Sequence, residues 1–349
     1  MLRSKPFRLT KAGLVGLGLL SACATASLPP PAAPVPAGDQ PEWVRNLSGY
    51  RSSRPTHVVA VGHGSSRQAA ETDAIRQLVV TFGVDVQVDQ RIVESYRGVE
   101  GGRGTHHAAI DSEIALAAGM NLIGAEIGDA WLDGRGGHYA LAVLNRARAV
   151  QIYSEMIRAN REIIEGLTGM APAQRNTFDG FARYSLAAVI ADMTVSYGEV
   201  LAVIGAPQQG LRRGDDFRRT AQEISAAIPV AITVSDDRAN RVQGAFARAF
   251  SDLGFRTGGA NPRYLLNVNL VVLPVELSGQ NVFARMELSA ELIDTGTGAV
   301  LLPFNFNLRE GHRTQSEAEA RLFLTAEQRI TREFGNVLSD YLSALAQGR

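Results

Sequence analysis

Three stretches near the C-terminus decide the fold of this chain: LLNVNLVV (265–272), RMELSAEL (285–292) and LPFNFNLR (302–309). In each stretch apolar and polar residues alternate, which is the period of a β-strand with one buried face. Strands that are buried on both faces are continuously apolar instead. The second half of the chain is therefore predicted to contain an antiparallel sheet with one solvated face.

The segments around these strands predict helices that cover the other face. A strand at Val230–Val234 precedes a helix that Asp236 is expected to cap, with Asp237 in its first turn, and that Gly254 is expected to end. The sequence DTGTG (294–298) is typical of a hairpin loop. This unit is thus predicted to be an α+β sandwich in which two helices cover a four-stranded sheet.

The last helix of this unit and the open sheet face carry two further expectations. Ser316 and Glu319 form a capping box. The stripe that the final helix is expected to bury comprises Ala318, Leu322, Ala326, Ile330, Phe334, Tyr341 and Leu345. The open face would carry Arg285, Glu287, Glu291 and Arg309, and the sequence leaves open whether it is plain solvated surface or a partner site.

An earlier unit, at about 41–150, has its own alternation of strands and helices. His57–Val61 reads as a strand, and Ser65 with Gln68 forms a capping box for a helix with one apolar face. That face comprises Ala70, Ala74, Leu78 and Phe82. The further segments are a strand at 84–88, a glycine-rich stretch at 98–104, a strand or helix at 108–120, and strands at 123–132 and 138–144.

The glycines after the first strand resemble a nucleotide-binding loop only superficially. Gly62-His63-Gly64 lies between a strand and a helix, and Asp85 follows about 20 residues later, as in a dinucleotide fingerprint. The third glycine position, however, is Arg67, which is too large for close packing of helix on strand. The next predicted strand is also half polar rather than fully apolar. We therefore expect no nucleotide cofactor here.

Two long helical patterns separate the units. Ala147–Leu167 and Phe178–Ile204 are joined by a short break at 169–172, so they are predicted to form a helical hairpin. The polar segment Gln208–Arg219 is interpreted as a loop. The complete predicted organisation is a signal peptide (1–22), a proline-rich tether (23–41), an α+β domain (42–146), the hairpin (147–205) and a second α+β domain (206–349).

The N-terminus carries the clearest functional signal. Four basic residues precede a nine-residue apolar run, Ala12–Leu20, which is too short to span a bilayer. Leu20-Ser21-Ala22-Cys23 then resembles the lipobox of bacterial lipoproteins, in which the chain is cut before the cysteine and the thiol receives lipid. An ordinary cleavage site or an uncleaved anchor is the alternative. Two or three acyl chains on Cys23 would hold the protein on a membrane.

The tether and the charge balance fit such an anchor. Prolines at 29, 30, 31, 34, 36 and 41 predict an extended, semi-rigid segment of about 3.1 Å per residue. Removal of four of the 35 basic residues with the signal peptide leaves 31 against 35 acidic ones, a net charge of −4. Anionic headgroups would not attract this chain, so acyl chains must hold it there.

The composition excludes several functional classes. Equal numbers of basic and acidic residues, 35 each, argue against nucleic-acid binding, and a single cysteine excludes a disulfide framework or a multi-cysteine metal site. The six histidines, of which His106 and His107 are adjacent, have no metal-binding spacing. We therefore expect no catalytic residues, no cofactor and no metal, and Cys23 is the one predicted site residue.

Several short phrases of the first unit resemble the LPP20 family of bacterial lipoproteins. They are Pro41-Glu42-Trp43, the V-G-x-G of Val61-Gly62-His63-Gly64, the alanine-spaced helix with Ala69, Ala70 and Ala74, and ALAVLNR at 140–146. The resemblance covers about 110 of 349 residues. It implies an envelope lipoprotein, in some members associated with the flagellar basal body, and no catalytic residues are attached to the motif.

The sequence therefore predicts a non-enzymatic, lipid-anchored protein of the cell envelope that binds or scaffolds other envelope proteins or further copies of itself. Ala24, rather than Asp, follows the cysteine, which in the enteric sorting pattern points to the outer membrane, with the domains facing the periplasm. The alternative is a periplasmic enzyme or ligand-binding protein with a site between the two α+β units.

Overall fold

A computed structural model describes residues 39–82, 122–237, 240–259, 261–275 and 282–348. It contains two sheets and many helices, so the predicted α+β class is confirmed. Several predicted features lie outside the described residues. They are the signal peptide, Cys23, most of the tether, the strand at 84–88, the glycine-rich stretch at 98–104, His106, His107 and the segment 108–120.

The first sheet has three antiparallel strands in the order β1–β3–β2. They are β1 (His57–Gly64), β2 (Ala125–Leu132) and β3 (His138–Asn145). One face carries α3 (Arg67–Phe82), which buries the predicted stripe of Ala70, Ala74, Leu78 and Phe82. The other face carries two short helices, α1 (Glu42–Arg45) and α2 (Leu47–Ser53), with Trp43 only 4% exposed.

Gly62 and Gly64 are needed because α3 crosses β1 at very close range. A Cβ on Gly62 would lie 2.0 Å from the Ala74 nitrogen, and one on Gly64 would lie 2.6 Å from the Ala70 nitrogen. The space that a phosphate would need next to these glycines is therefore filled by the helix backbone. Both glycines therefore serve strand–helix packing, a role that the sequence analysis did not predict for them.

Two long helices follow, α4 (Arg146–Thr168) and α6 (Phe178–Val203), with the short α5 (Pro172–Arg175) between them. Each long helix contributes to both hydrophobic cores. The first core takes Ala149, Tyr153, Ile157, Val200, Leu201 and Ile204 from them. The second core takes residues such as Ile163, Ile164, Leu167, Phe178, Leu186 and Ile190. The helices thus pack side by side along both α+β units.

A buried polar contact marks the point where one core gives way to the other. The side-chain amide of Asn160 on α4 donates to the Thr194 hydroxyl on α6 at 3.0 Å, and that hydroxyl donates to the Ile190 carbonyl at 2.6 Å. Both side chains are almost fully buried. Because an unpaired amide there would be costly, this contact favours a single register of α4 against α6.

The segment predicted as a loop at 208–219 is partly helical, so that prediction was wrong. Helix α7 runs over Gly214–Ala227. Its N-terminus has no cap of its own, but Asp192 on α6 accepts a hydrogen bond from the Gly214 nitrogen at 2.9 Å and also pairs with Arg218. The local sequence marks this start only through Asp215 and Asp216 in the first turn, because the capping carboxylate lies 22 residues away.

The second sheet has five strands in the order β5–β4–β6–β7–β8, not four. They are β4 (Pro229–Val234), β5 (Arg256–Thr257), β6 (Tyr264–Val275), β7 (Val282–Asp294) and β8 (Val300–His312). The pairs β6–β7 and β7–β8 are antiparallel as predicted, whereas β4 runs parallel to both β5 and β6. The antiparallel pairing predicted for the three long strands is therefore confirmed, the sheet has one strand more than predicted, and its other edge is parallel.

Helices α8 (Arg241–Asp252) and α9 (Gln315–Arg329) cover one face of this sheet, and a π-turn (Ile330–Phe334) leads into α10 (Gly335–Ala346). The predicted end at Gly254 is confirmed by its positive φ of 83°. The caps differ from prediction by one or two residues because neighbouring polar residues compete for each terminus. Asp237 replaces Asp236, Ser66 replaces Ser65 at α3, and Thr314 replaces Ser316.

The π-turn explains how the final helix buries its stripe. A stripe of fully or nearly buried positions runs at a constant spacing of four through Ala318, Leu322, Ala326, Ile330, Phe334, Leu338, Leu342 and Ala346, with Phe323 buried beside it. In an α-helix of 3.6 residues per turn, positions four apart gradually rotate around the helix and leave the buried face. The wider π-helical turn contains more residues per turn, so it brings the following positions back toward that face. Leu338 and Leu342 thus occupy the core where Tyr341 and Leu345, only partly buried, had been predicted.

Candidate functional site

The described histidines and carboxylates form no metal centre. Within residues 39–82, 122–237 and the later described ranges, no three His, Cys, Asp or Glu side chains are grouped to hold an ion. His312 Nδ1 lies 2.5 Å from the Glu317 carboxylate on α9. The Thr314 hydroxyl is the main cause of the lowered pKa of Glu317, with His312 adding to it. This group serves the start of α9.

The most perturbed titratable cluster lies where α6 begins against the second sheet. The Tyr264 hydroxyl accepts a hydrogen bond from the Phe178 nitrogen at 3.1 Å, and Arg263 lies 3.3 Å from the Asp294 carboxylate. Burial raises the pKa of Tyr264. Burial, with Tyr264 and Asp294 nearby, raises the pKa of Tyr341 to about 12. Both phenols are therefore neutral at physiological pH and suit hydrogen bonding rather than proton abstraction.

Helices α4 and α6 pack against each other where the two units meet. The Asn160 amide donates to the Thr194 hydroxyl there, and Asp192 caps α7. Helix α6 is long and apolar enough to cross a membrane, but 56% of its most apolar window is buried inside the protein. Core helices pass the same test, and α6 packs against α4, α7 and α10.

A shallow cavity of about 480 Å³ lies on the helical side of the second unit. Its lining comprises Arg248, Leu324, Glu327, Gln328, Thr331 and Arg332. Arg248 is paired with Glu327 at 2.5 Å, and Arg332 lies 3.4 Å from Glu333. Both guanidinium groups therefore already have carboxylate partners.

The open face of the five-stranded sheet is a broader candidate surface. Most of it is polar, with side-chain contacts between Thr233 and Asn267 at 3.2 Å and between Ser235 and Asn269 at 3.1 Å. The four charged residues predicted for this face, Arg285, Glu287, Glu291 and Arg309, lie at alternate strand positions that point away from the buried side chains. Arg285 pairs with Glu287 at 2.9 Å.

One end of that face is apolar. Val271 is 38% exposed and Leu273 is 44% exposed, and the pairing of β6 with β7 places Leu273 opposite Arg285. On the neighbouring strands, the Arg309 guanidinium lies 4.3 Å from the centre of the Phe283 ring. Exposed aliphatic side chains beside aromatic and arginine neighbours distinguish this end from the polar remainder of the face. We name Val271, Leu273, Phe283 and Arg309 the apolar end.

A second surface, which the sequence analysis missed, is a row of three rings across the first sheet. Strand pairing places His63 opposite Tyr139 and Tyr139 opposite Trp131. The ring centres are 4.9 Å and 5.4 Å apart, and the rings are tilted by 59° and 44°. His63 is exposed and the other two are half-buried. Only the register of strands far apart in sequence reveals this row, although each ring occupies the face-specific position that alternation predicts.

Comparison with known proteins gives structural matches only. No family model matches this chain, and no curated protein matches it. A secreted protein from Helicobacter pylori is similar over 79% of this chain and 98% of its own, at 10% identity and a TM-score of 0.41. A minor lipoprotein from Acinetobacter baumannii is similar over 31% and 92%, at 14% identity and a TM-score of 0.26.

A lipoprotein from Neisseria meningitidis is similar over 29% of this chain and 96% of its own, at 11% identity and a TM-score of 0.21. These solved structures are thus secreted proteins or lipoproteins of bacteria. With every TM-score below 0.5, the likeness assigns neither a family nor a function, and the LPP20 resemblance stays a prediction.

Proposed function

We propose that this chain is a non-enzymatic lipoprotein of the bacterial envelope, anchored by acyl chains on Cys23 and facing the periplasm from the outer membrane. The observation that carries the proposal is Leu20-Ser21-Ala22-Cys23, which places the only cysteine directly behind an apolar run too short to span a bilayer. One acyl chain gives marginal membrane binding, whereas two or three give a stable anchor.

The anchored body binds another envelope protein through the apolar end of the second sheet. Val271 and Leu273 are exposed on a rigid strand, so little conformational entropy is lost when a partner covers them. The adjacent Arg309–Phe283 contact and the Asn and Ser side chains supply directional contacts around that centre. The LPP20 resemblance is confined to the first unit and favours an envelope lipoprotein, in some members of that family one associated with the flagellar basal body.

The anchor is tested by Cys23→Ser in the native host. The substitution is expected to release the protein from membranes and to abolish acyl-lipid labelling, with mass analysis of the mature N-terminus as the direct readout. A chain that still begins at residue 1, or that begins at residue 23 without lipid, contradicts the anchor.

The binding surface is tested by photo-cross-linking in intact envelopes, followed by mass spectrometry. A cross-linking amino acid at Leu273 is expected to capture a specific envelope protein, and Val271→Glu is expected to abolish that product. The matched control places the same amino acid at Gln328, on the helical side of the same unit. Equal products at both positions, or a retained small molecule with no captured protein, would contradict the proposal.

A further inference from the structure

We propose that the row of rings formed by His63, Tyr139 and Trp131, which we name the aromatic row, is the docking site of the chain's own proline-rich tether. This inference goes beyond the proposed function, because docking needs neither the acyl anchor nor a partner protein. Its occupant is the segment around Pro31-Ala32-Ala33-Pro34, which lies outside the described residues.

The geometry of the row fits a polyproline II segment. Residues i and i+3 of such a helix lie on one side, about 9 Å apart, since it rises about 3.1 Å per residue with three residues per turn. The two ring-to-ring distances of 4.9 Å and 5.4 Å give the aromatic row a similar span. Pro31 and Pro34 have the i, i+3 spacing that aromatic-lined grooves recognise as PxxP.

The tilt of the rings distinguishes this ligand from a flat one. Inclinations of 59° and 44° produce ridges rather than one continuous plane. A pyrrolidine ring fits between such ridges, whereas a sugar ring stacks best on a flat surface. The backbone of polyproline II has no internal hydrogen bonds, so its carbonyls accept bonds from a binding surface. The Tyr139 hydroxyl and the His63 imidazole are suitable donors at this row.

The tether also ends close to the row, where α1 starts. Helix α1 starts at Glu42, and the Trp43 indole N–H donates to the Asp129 carboxylate at 2.9 Å. Asp129 is two residues from Trp131 on the same strand, which is a separation of about 7 Å. Six residues join Pro34 to Pro41, and Gly38 among them permits a change of direction. Six extended residues span about 20 Å, so the tether is long enough to reach the aromatic row.

Acrylamide quenching of tryptophan fluorescence in the purified mature chain tests this inference. The chain has two tryptophans, and Trp43 is 4% exposed, so the quenchable signal reports on Trp131. Substitution of Pro31 and Pro34 by Ser is expected to raise the quenching constant on the order of twofold, because a weak contact at the roughly millimolar effective concentration of a short linker is partly occupied. The matched control, Ala32→Ser with Ala33→Ser, is expected to leave it unchanged.

Variants of the row complete the test. His63 is exposed, so His63→Ala is expected to fold normally and to remove most of the difference between the proline variant and its control. Tyr139→Phe keeps the ring but loses the hydroxyl, and it is expected to remove part of that difference in quenching. An equal quenching constant with and without the prolines overturns the inference. Protection of Trp131 by soluble glycan fragments alone would also overturn it, because the row would then bind a glycan. Quenching that depends on protein concentration would overturn it as well, because the row would then bind a second copy of the chain.

The two proposals fail separately. An unlipidated Cys23 would contradict the anchor and leave the quenching difference intact. An unchanged quenching constant would contradict tether docking and leave the anchor and the apolar end untouched.

Discussion

Gly62→Ala tests whether close strand–helix packing is the reason for the V-G-x-G phrase. The added methyl would lie 2.0 Å from the Ala74 nitrogen and 2.3 Å from the Ala70 carbonyl oxygen, and neither backbone atom can rotate away. Ordinary contact begins at about 3.4 Å, so α3 would have to move by more than 1 Å. Overpacking of this kind costs up to about 3 kcal/mol. The gain from a less flexible unfolded chain offsets about 0.5–1 kcal/mol of it.

We therefore expect the free energy of unfolding to fall by about 2 kcal/mol. Urea denaturation followed by tryptophan fluorescence measures it, because Trp43 and Trp131 both belong to the first unit. Gly134→Ala is the matched control, since no atom lies within 4 Å of its added Cβ, and a change below about 0.5 kcal/mol is expected there. A loss below about 1 kcal/mol for Gly62→Ala would refute the packing explanation and reopen a ligand role for these glycines.

Three further outcomes follow from contacts described above. Asp192→Ala is expected to cost about 1 kcal/mol by removing the cap of α7, and hydrogen exchange should quicken at its first turn near Gly214. Thr194→Val should cost about 1–3 kcal/mol, because the Asn160 amide loses its buried acceptor, as thermal unfolding would measure. Burial raises the pKa of Tyr341 to about 12, whereas the unfolded pKa is near 10. Between about pH 10 and 12 unfolding therefore releases a proton, and the free energy of unfolding falls as the pH rises. Tyr341→Phe should make this fall smaller.

Controls for these outcomes use residues outside the contacts concerned. Asp215→Asn lies on the exposed first turn of α7 and should leave exchange at Gly214 nearly unchanged, which separates the distant cap from local charge. Equal exchange in the Asp192 and Asp215 variants would count against the distant cap. If Tyr341→Phe and the unsubstituted chain lose stability equally at alkaline pH, burial is not the source of the raised pKa of Tyr341.

Elements whose causes are local were predictable from the sequence. The three long strands of the second sheet were identified from alternation, and the hairpin loop at 294–298 from its glycines, because side-chain period and turn chemistry act within a few residues. Helix α6 was identified to within one residue, since Thr177 caps it from the adjacent position.

Elements whose causes are distant in sequence were not predictable. The cap of α7 comes from Asp192, and β5 is a two-residue strand that exists only because it pairs with β4. The aromatic row depends on the register of β1 with β3, whose paired residues His63 and Tyr139 lie 76 positions apart. Periodicity predicts which face a residue occupies but not which residue lies opposite.

The sharing of α4 and α6 between both cores bears on how the protein meets mechanical load. Ile157 on α4 packs in one core and Ile190 on α6 packs in the other, so a bend in the middle of this helix pair would disturb both cores. A force applied at the N-terminus would therefore reorient both units together. For the same reason, cutting the chain at the centre of α6 would expose buried apolar side chains on both fragments. Truncation there is therefore not expected to give two separately folded halves.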